Sequence, residues 1–374
     1  MKNLQILGEI ANNLGKEYFN FICNDRHFPD DLWNSLGRQK LFGLLVSKEN
    51  GGDGIDLSDF VELVLEFSKQ FGTFGYLLIA QNLSAKMLSD FGNEKLKAFL
   101  PDLISGRIKI NLALTELESG SDAFSINTKA SRQGDNFIIS GKKHYVTNAK
   151  NADLLMVVAR TSQPHEKKSL GLTTFVTKKE QYLPSDFVNL EKMGLDFLPI
   201  YSLQVNAVNV PSDMILGELD GAWQMLSNTF VLDRILLAAM FIGMAEMALS
   251  IAVLYAKERR VFGKIISSHQ GIQFPIAQSY SFLQAAKSHV RSVSKIWDNG
   301  LIKTSRDMPW TAYYTSIRSA YDAIDCSLQT LGAAGYVSST VEKLFRDIRY
   351  YRIGPISEQI ALANIAEKTL GMKE

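Results

Sequence analysis

Cysteine is almost absent from this chain of 374 residues, which contains only Cys23 and Cys326. Two cysteines so far apart in sequence support neither a disulfide framework nor the paired spacing of a zinc site. The five histidines are scattered, and none follows another at i, i+4 spacing, so no metal site is expected. A reducing compartment, the cytoplasm, is the expected location.

Net charge is also missing, because 40 Lys and Arg residues balance 39 Asp and Glu residues to a formal charge of +1. So small a charge produces no field that would attract nucleic acid or an anionic membrane surface. The sequence contains no G-x-G-x-x-G turn after a strand, no phosphate-binding G-x-x-x-x-G-K-[ST] loop and no nucleophile elbow. Those classes of nucleotide-binding protein and hydrolase are therefore excluded.

One long apolar run, residues 235–253, approaches the length of a transmembrane helix. Glu246 falls inside the run, and Asp233, Arg234 and the charged residues 257–260 flank it closely. A helix that is apolar on all sides is also what the centre of a large helical bundle requires. We interpret the run as a buried core helix, and no membrane partner is expected.

The spacing of apolar residues divides the chain into three parts. Residues 1–110 show helical spacing, residues 111–220 contain short runs rich in Val, Ile, Thr and aromatic residues, and residues 221–374 return to helical spacing. The segment QGDN at 133–136 predicts a tight hairpin turn. The expected fold class is α+β, with an N-terminal helical domain, a central antiparallel β domain and a C-terminal helical bundle that pack as one unit.

Small and polar residues at the edges of the β domain could contact a ligand. LTELESGSDAF ends a strand in Gly120 and Ser121, whose backbone N–H and hydroxyl groups could approach a planar or anionic group. HYVTNA ends another strand with Thr147, and Tyr145 beside it could stack on a ring. Taken alone, each segment is more typical of an ordinary turn.

Five segments in order resemble the acyl-CoA dehydrogenase family. LALTELESGSDAFSINTKA is similar to its TEPxxGSD pattern and Thr-rich strand, and GKKHYVTNAKNADLLMVVART to its GxKxW(I/V)TNA segment. NVPSDMILGELDGAW is similar to its VPxxxxLGxxxxG link, YAKERRVFGKIISSHQ to its YxxxRxxFGxxxxxxQ helix, and QTLGAAGYVSSTVEKLFRDIR to its QxxGGxGY and RDxR motifs. The resemblance covers the chain from about residue 100 to the end, and the helical N-terminal part is compatible with it.

This resemblance implies a flavoprotein that binds FAD between the subunits of a homodimer or homotetramer. The resemblance implies cofactor-binding residues around the flavin ring or the thioester, namely Thr115, Gly120, Ser121, Tyr145 and Thr147. Across the interface it implies Arg259, Phe262, Gln270, Gln329, Gly332 and Ala333, and it adds Ser357 and Gln359 to the cofactor-binding set. Arg259 would offer pyrophosphate a bidentate fork of N–H donors. Ser121 and Arg234 are expected to contact the substrate.

The family reaction is α,β-dehydrogenation of an acyl thioester, in which a carboxylate removes the α proton while the β hydrogen leaves as hydride. That carboxylate usually follows the RD motif in IYEGT, but here Gly354 and Pro355 stand at its Tyr and Glu. Some family members carry the base on the long C-terminal helix immediately before an Arg, which corresponds here to Asp233 and Arg234. Asp233 is therefore the candidate catalytic base, and an ion-paired or helix-capping Asp233 is the alternative. Glu358 is a second carboxylate near the lost site, but it is expected to face elsewhere.

Three functions remain open at this point. The first is dehydrogenation of an acyl thioester of CoA or of an acyl-carrier protein, with an electron-transfer flavoprotein or oxygen as the acceptor. The second is a flavin-dependent oxidase or monooxygenase on the same fold, which would not require the acyl base. The third is a non-catalytic family member that has lost the base.

Overall fold

The computed structural model describes residues 2–15, 18–19, 27–163, 169–305 and 307–372. Helices lead up to the β domain and follow it. The N-terminal helices are α1 (Lys2–Leu14), α2 (Asp30–Arg38), α3 (Leu57–Phe71), α4 (Gly75–Phe91), α5 (Glu94–Lys97) and α6 (Leu100–Ile104). Glycine residues and short 3-10 turns separate α2, α3 and α4.

The middle of the chain forms the β domain. Its strands are β1 (Ile110–Ala113), β2 (Lys129–Gln133), β3 (Asn136–Thr147), β4 (Leu154–Arg160), β5 (Leu172–Lys178), β6 (Phe187–Leu190), β7 (Ile200–Pro211) and β8 (Ile215–Leu216). They join in the order β6-β7-β3-β2-β4-β5-β8, and β1 pairs with β4. Most pairings are antiparallel, as predicted, but β1 and β2 both run parallel to β4. The predicted hairpin is confirmed, because Gln133 pairs with Asn136 across a two-residue turn.

The C-terminal part returns to helices. They are α7 (Ala222–Glu258), α8 (Gln270–Asp298), α9 (Met308–Leu331), α10 (Ala333–Tyr336), α11 (Thr340–Tyr351) and α12 (Glu358–Asn364), and a π-helical turn (Ile365–Thr369) follows them. A small hairpin of β9 (Arg260–Val261) and β10 (Lys264–Ile265) connects α7 to α8. Cys326 on α9 is a free thiol, and Cys23 lies outside the described residues.

Helix α7 contains the long apolar run of the sequence. Its most apolar 18-residue window has the hydropathy of a membrane span, but 78% of that window is buried inside the protein, as a core helix requires. A Cβ added to Gly243 would lie 2.4 Å from the Leu65 carbonyl oxygen, so α7 and α3 cross in close contact. Glu246 is the charged residue inside the run, and it reaches Lys287 on α8 with an N–O distance of 2.7 Å.

The N-terminal and C-terminal helices share one apolar core, and the β domain has a second. Leu195, Phe197 and Leu198, in the segment before β7, leave the β domain and pack into the helical core. The same segment contacts α11, because a Cβ on Gly194 would lie 2.8 Å from the backbone of Arg346. All three parts of the chain therefore meet around this segment, and the cavities described below lie there.

Candidate active site

A cleft of about 660 Å³, open to solvent, lies where the three parts of the chain meet. Its walls are mainly apolar and aromatic; they include Tyr76 on α4, Thr147 at the end of β3, Leu195 and Leu198 before β7, and Tyr350 and Tyr351 on α11. A smaller pocket of about 290 Å³, also open to solvent, lies beside the cleft and shares three of its lining residues with it. Concave, mainly apolar sites with a few polar groups are typical of small-molecule binding.

Asp233 is a partly buried residue of α7 beside this cleft. Its charge contributes, after burial, to the raised pKa of the phenols of Tyr76, Tyr313 and Tyr350, two of which line the cleft. Burial raises the pKa of Asp233 to about 7, and the neighbouring Arg234 charge opposes that rise only in part. No hydrogen bond to its carboxylate from another described residue stabilises the ionised form.

Arg234 lies on the same helix but points its charge at an aromatic ring. Its guanidinium carbon lies 3.8 Å from the centre of the Trp310 ring, which is a cation–π contact. The side chain is buried, and its Nε has no hydrogen-bond partner among the described residues. Burial lowers the pKa of Arg234 to about 10. Arg234 is not among the residues that line the cleft, so its contact with the substrate stays a prediction.

The carboxylate nearest the position of the usual family base is already engaged. Glu358 is buried and accepts two hydrogen bonds from Arg352, at 2.7 and 3.0 Å. At Gly354, an added Cβ would lie 3.1 Å from the Tyr350 hydroxyl oxygen. The Tyr350 ring therefore occupies space that a side chain at position 354 would need. Glu358 faces its arginine partner, in agreement with the expectation from sequence.

A buried ion pair holds together the two polar segments at the edge of the sheet. The Glu116 carboxylate accepts hydrogen bonds from Lys143 Nζ at 2.8 Å and from the backbone N–H groups of Asn127 and Thr128 at 2.6 and 2.9 Å. Burial alone would raise the pKa of Glu116, but the Lys143 charge and these hydrogen bonds lower it. The pair fixes the turn that begins at Glu116 against β3.

Five predicted flavin-contacting residues belong to these two segments. His144 N–H donates to the Thr115 carbonyl oxygen at 2.8 Å and joins them. Gly120 and Ser121 are exposed on the turn, and Thr147 lines both the cleft and the smaller pocket. Tyr145 has a φ of +56° and 54% of its surface is exposed, at a register shift between β3 and β7. Such a φ is unusual for an aromatic residue, and it turns the ring outward.

Two further predicted residues begin α12. The Ser357 hydroxyl oxygen accepts a hydrogen bond from Ile360 N–H at 3.3 Å and caps the helix. Gln359 is exposed in the first turn. Both lie close in sequence to Glu358, so the Arg352 ion pair also positions this segment.

The remaining predicted cofactor residues lie exposed on the C-terminal domain. They are Arg259, Phe262, Gln270, Gln329, Gly332 and Ala333. Phe262 occupies the tip of the β9–β10 hairpin with a φ of +51°, and 98% of its surface is exposed. A large apolar side chain so placed in a single chain indicates a contact surface for another molecule.

Three family models match consecutive parts of the chain. The acyl-CoA dehydrogenase N-terminal domain matches residues 9–107, the middle domain residues 111–208 and the C-terminal domain residues 220–370. A helical domain, a β domain and a helical bundle around one cleft are the architecture of a flavin-dependent dehydrogenase. The chain belongs to the acyl-CoA dehydrogenase family, whose members are FAD-binding oxidoreductases that act on CH–CH bonds.

Individual relatives agree with the family models. A 3-(aryl)acrylate reductase of Clostridium sporogenes (strain ATCC 15579) is 31% identical over 346 residues, which are 92% of this chain and 91% of the relative. A mitochondrial isovaleryl-CoA dehydrogenase of Oryza sativa subsp. japonica is 32% identical over 340 residues, 89% of this chain and 82% of the relative. The solved structure of a glutaryl-coenzyme A dehydrogenase with glutaryl-CoA superposes with a TM-score of 0.90 and 27% identity, covering 100% of this chain and 96% of that one.

The residues of this chain fit FAD. The outward ring of Tyr145 can stack on a planar ring system, and the Thr147 hydroxyl beside it can donate a hydrogen bond to a ring nitrogen. At Gly332, with a φ of +58°, an added Cβ would meet no atom within 4 Å, so the backbone there is open to a ligand. When bound, FAD supplies the hydride acceptor of the family reaction.

Three tyrosines near Asp233, namely Tyr76, Tyr313 and Tyr350, and the cleft residue Tyr351 were not predicted from the sequence. Tyr350 and Tyr351 directly follow the RDIR motif, and that aromatic pair is a local signal that could have indicated them. Tyr313 lies in α9 and Tyr76 in α4, in segments without a recognisable motif. Only helix packing brings these two residues beside α7.

Proposed function

We propose that this protein catalyses α,β-dehydrogenation of an acyl thioester with FAD as the cofactor and Asp233 as the base. The proposal depends on the environment of the Asp233 carboxylate. Burial raises the pKa of this carboxylate to about 7, and no other described residue donates a hydrogen bond to it. Glu358, the other carboxylate considered from sequence, is engaged by Arg352. Pro355 occupies the position of the usual base and cannot accept a proton. Asp233 is thus the carboxylate free to act.

The proposed chemistry makes use of this raised pKa. The α proton of a thioester is weakly acidic, and a general base works best when its pKa lies near the working pH. Asp233 meets that requirement because burial disfavours its charged form. Asp233 itself does not line the cleft, but its neighbours Tyr76 and Tyr350 do, so an acyl group in the cleft would lie close to α7. In the reverse direction, an acrylate-type thioester would receive its α proton from protonated Asp233.

We propose that the active form is a homodimer or homotetramer in the cytoplasm. The exposed Phe262 and Arg259 of one copy would cover the FAD held at Tyr145 and Thr147 of another. The acyl group would be carried by CoA or an acyl-carrier protein. Electrons would then leave to an electron-transfer flavoprotein or to oxygen.

The test is anaerobic mixing of the FAD-loaded protein with saturated acyl thioesters, followed through bleaching of the flavin absorbance. The wild-type protein should bleach, and Asp233→Asn should bleach about 100-fold to 10,000-fold more slowly while it keeps its flavin. Asp233→Glu should retain part of the rate, because a carboxylate remains. The wild-type rate should rise with pH through about 7, where Asp233 loses its proton.

The matched control is Glu358→Gln, which removes the other nearby carboxylate and should slow bleaching far less than Asp233→Asn does. Equal bleaching in wild type and Asp233→Asn would exclude Asp233 as the base. If no thioester bleached the wild-type flavin and the reduced protein consumed oxygen with a non-thioester substrate, the oxidase or monooxygenase function would replace this proposal.

A further inference from the structure

Tyr350 presents a phenol to the cleft beside the candidate base. The residue lines the cleft near the end of α11, and 38% of its surface is exposed. Its backbone carbonyl oxygen accepts hydrogen bonds from the N–H groups of Ile353 and Gly354 at 2.8 and 2.9 Å, so the loop that follows α11 is tied to it. A Cβ on Gly354 would lie 3.1 Å from the Tyr350 hydroxyl oxygen. Glycine at position 354 therefore leaves room for this hydroxyl.

The Tyr350 hydroxyl is a donor without a partner among the described residues. The other two phenols near Asp233 are engaged, because Tyr313 donates to backbone carbonyl oxygens at 2.9 Å and the Tyr76 hydroxyl interacts with that of Thr147. Partial burial raises the pKa of Tyr350 to about 12, so the phenol keeps its proton at neutral pH. An O–H group in this condition at the wall of a cleft is available to a ligand.

The loop residues 353–355 offer no free backbone donor beside this phenol. The first two N–H groups already donate to Tyr350, and Pro355 has none. Three basic side chains also line the cleft, but none of their charges contributes to the pKa of Asp233; they are Lys192, Arg346 and Arg349. These cations therefore lie outside the immediate surroundings of the base, and the Tyr350 hydroxyl lies within them.

Tyr350 and Asp233 are neighbours that do not bond to each other. The Asp233 charge contributes to the raised pKa of Tyr350, but no hydrogen bond joins the two groups. A base and a donor that act on one thioester need this arrangement, because the base contacts the α proton while the donor contacts the carbonyl oxygen. When the α C–H bond breaks, its proton moves to Asp233 and its electron pair shifts toward the carbonyl group. Negative charge then develops on the thioester oxygen.

We propose that Tyr350 is a further catalytic residue, whose hydroxyl donates a hydrogen bond to the thioester oxygen as the α proton leaves. This inference rests on the proposed function, because it assigns the cleft to an acyl thioester. A donor aimed at developing charge stabilises the transition state more than the bound substrate. Removing the hydroxyl therefore slows proton removal more than it weakens substrate binding.

The experiment uses acetoacetyl-CoA, a thioester whose acidic α proton lies between two carbonyl groups and whose enolate absorbs in the near ultraviolet. The FAD-loaded protein is saturated with this ligand, and the pH at which half of the bound ligand is ionised is read from the absorbance. Tyr350→Phe should raise that pH by about one to two pH units, the effect of losing a hydrogen bond to a charged oxygen. With a saturated acyl-CoA at saturating concentration, the same variant should bleach about 10-fold to 100-fold more slowly.

Phe keeps the ring of Tyr350 and its contact with Tyr351, whose ring centre lies 5.1 Å away, so the variant should fold and keep its FAD. The matched control is Tyr280→Phe, which removes the hydroxyl of an exposed tyrosine on α8 and should leave the ionisation pH and the bleaching rate unchanged. The effect of Tyr350→Phe on the ionisation pH should persist in an Asp233→Asn background, because the donor contacts the ligand.

An unchanged ionisation pH in Tyr350→Phe would overturn the inference. An effect that disappears in the Asp233→Asn background would also overturn it, because Tyr350 would then act through the base. Loss of FAD, or a changed flavin spectrum before the ligand is added, would show that the hydroxyl contacts the cofactor instead.

Flavin bleaching by saturated thioesters separates this inference from the proposed function. A raised ionisation pH in Tyr350→Phe, without bleaching of the wild-type flavin, would support the donor and refute the dehydrogenation. Bleaching of the wild-type flavin with an unchanged ionisation pH would do the reverse. A wild-type protein that bound no thioester would refute both proposals.

Discussion

Replacing Asp233 with Asn should stabilise the protein at alkaline pH and make almost no difference near pH 4. Asn has nearly the shape of a protonated Asp and cannot ionise. In the folded protein, burial raises the pKa of Asp233 from its ordinary 3.8 to about 7. Between these two pH values the folded protein keeps a proton that the unfolded chain has released, so wild-type stability falls as pH rises.

The size of the effect follows from this interval. Each pH unit over which only the folded state is protonated removes about 1.4 kcal/mol, so the raised pKa costs the wild-type protein about 4 kcal/mol above pH 7. Unfolding entropy of about 2.1 cal/mol/K per residue over 374 residues makes 1 kcal/mol worth about 1 °C in Tm. Asp233→Asn should therefore melt about 5 °C higher than wild type at pH 8.

The assay is the Tm difference between the FAD-loaded wild-type protein and Asp233→Asn, measured at several pH values from 5 to 9. The difference should grow with pH and level off above about 7, where Asp233 has ionised. An ion-paired or helix-capping Asp233 would have a lowered pKa and would give the opposite sign, with the wild-type protein more stable than Asn at high pH. That sign, or a difference independent of pH, would refute the assignment of Asp233 as a buried base.

Three other substitutions test separate parts of the site. Lys143→Met should lower the free energy of unfolding by about 3–5 kcal/mol in denaturant titrations, because it leaves the Glu116 carboxylate charged and buried. Adding Glu116→Gln should recover much of that loss. A Lys143→Met variant as stable as wild type would contradict this expectation. Glu358→Gln should lower the free energy of unfolding by about 1–3 kcal/mol, because it weakens the hydrogen bonds from Arg352, and the flavin should still bleach. Loss of bleaching would instead indicate that Glu358 acts as a base. Phe262→Asp should yield monomers with little bound FAD in light scattering and absorbance, whereas an intact yellow oligomer would show that the exposed ring lies outside the interface.

The expected order of helices, sheet and helices is confirmed, because it depends on local periodicity. The hairpin between Gln133 and Asn136 was predicted equally well, since its turn residues are adjacent in sequence. The parallel pairings of β1 and β2 with β4 were not predicted, because they join strands that are distant along the chain. Periodicity within a strand carries no information about its partner.

In the candidate site, too, local features could be predicted from the sequence and long-range contacts could not. Asp233 could be indicated from sequence because it directly precedes Arg234 in a long apolar helix, in the pattern that the family resemblance supplies. Its apolar neighbours in the sequence also favour burial and a raised pKa, and burial does raise it. The groups that surround it could not be predicted, because they meet only where α7 contacts α4, α9 and α11. Whether Glu358 or Asp233 is free was likewise decided by the position of Arg352, which forms an ion pair with Glu358.

By itself, the sequence determined the family, the three-part architecture, the cofactor and the absence of a carboxylate at Pro355, because each depends on residue identity or on short-range spacing. The tertiary structure alone decided what surrounds Asp233. Tyr76, Tyr313 and Tyr350 come from three different helices, and no local pattern links them. Burial and charge are properties of residues brought together by packing, and these properties decide how a carboxylate on α7 can act.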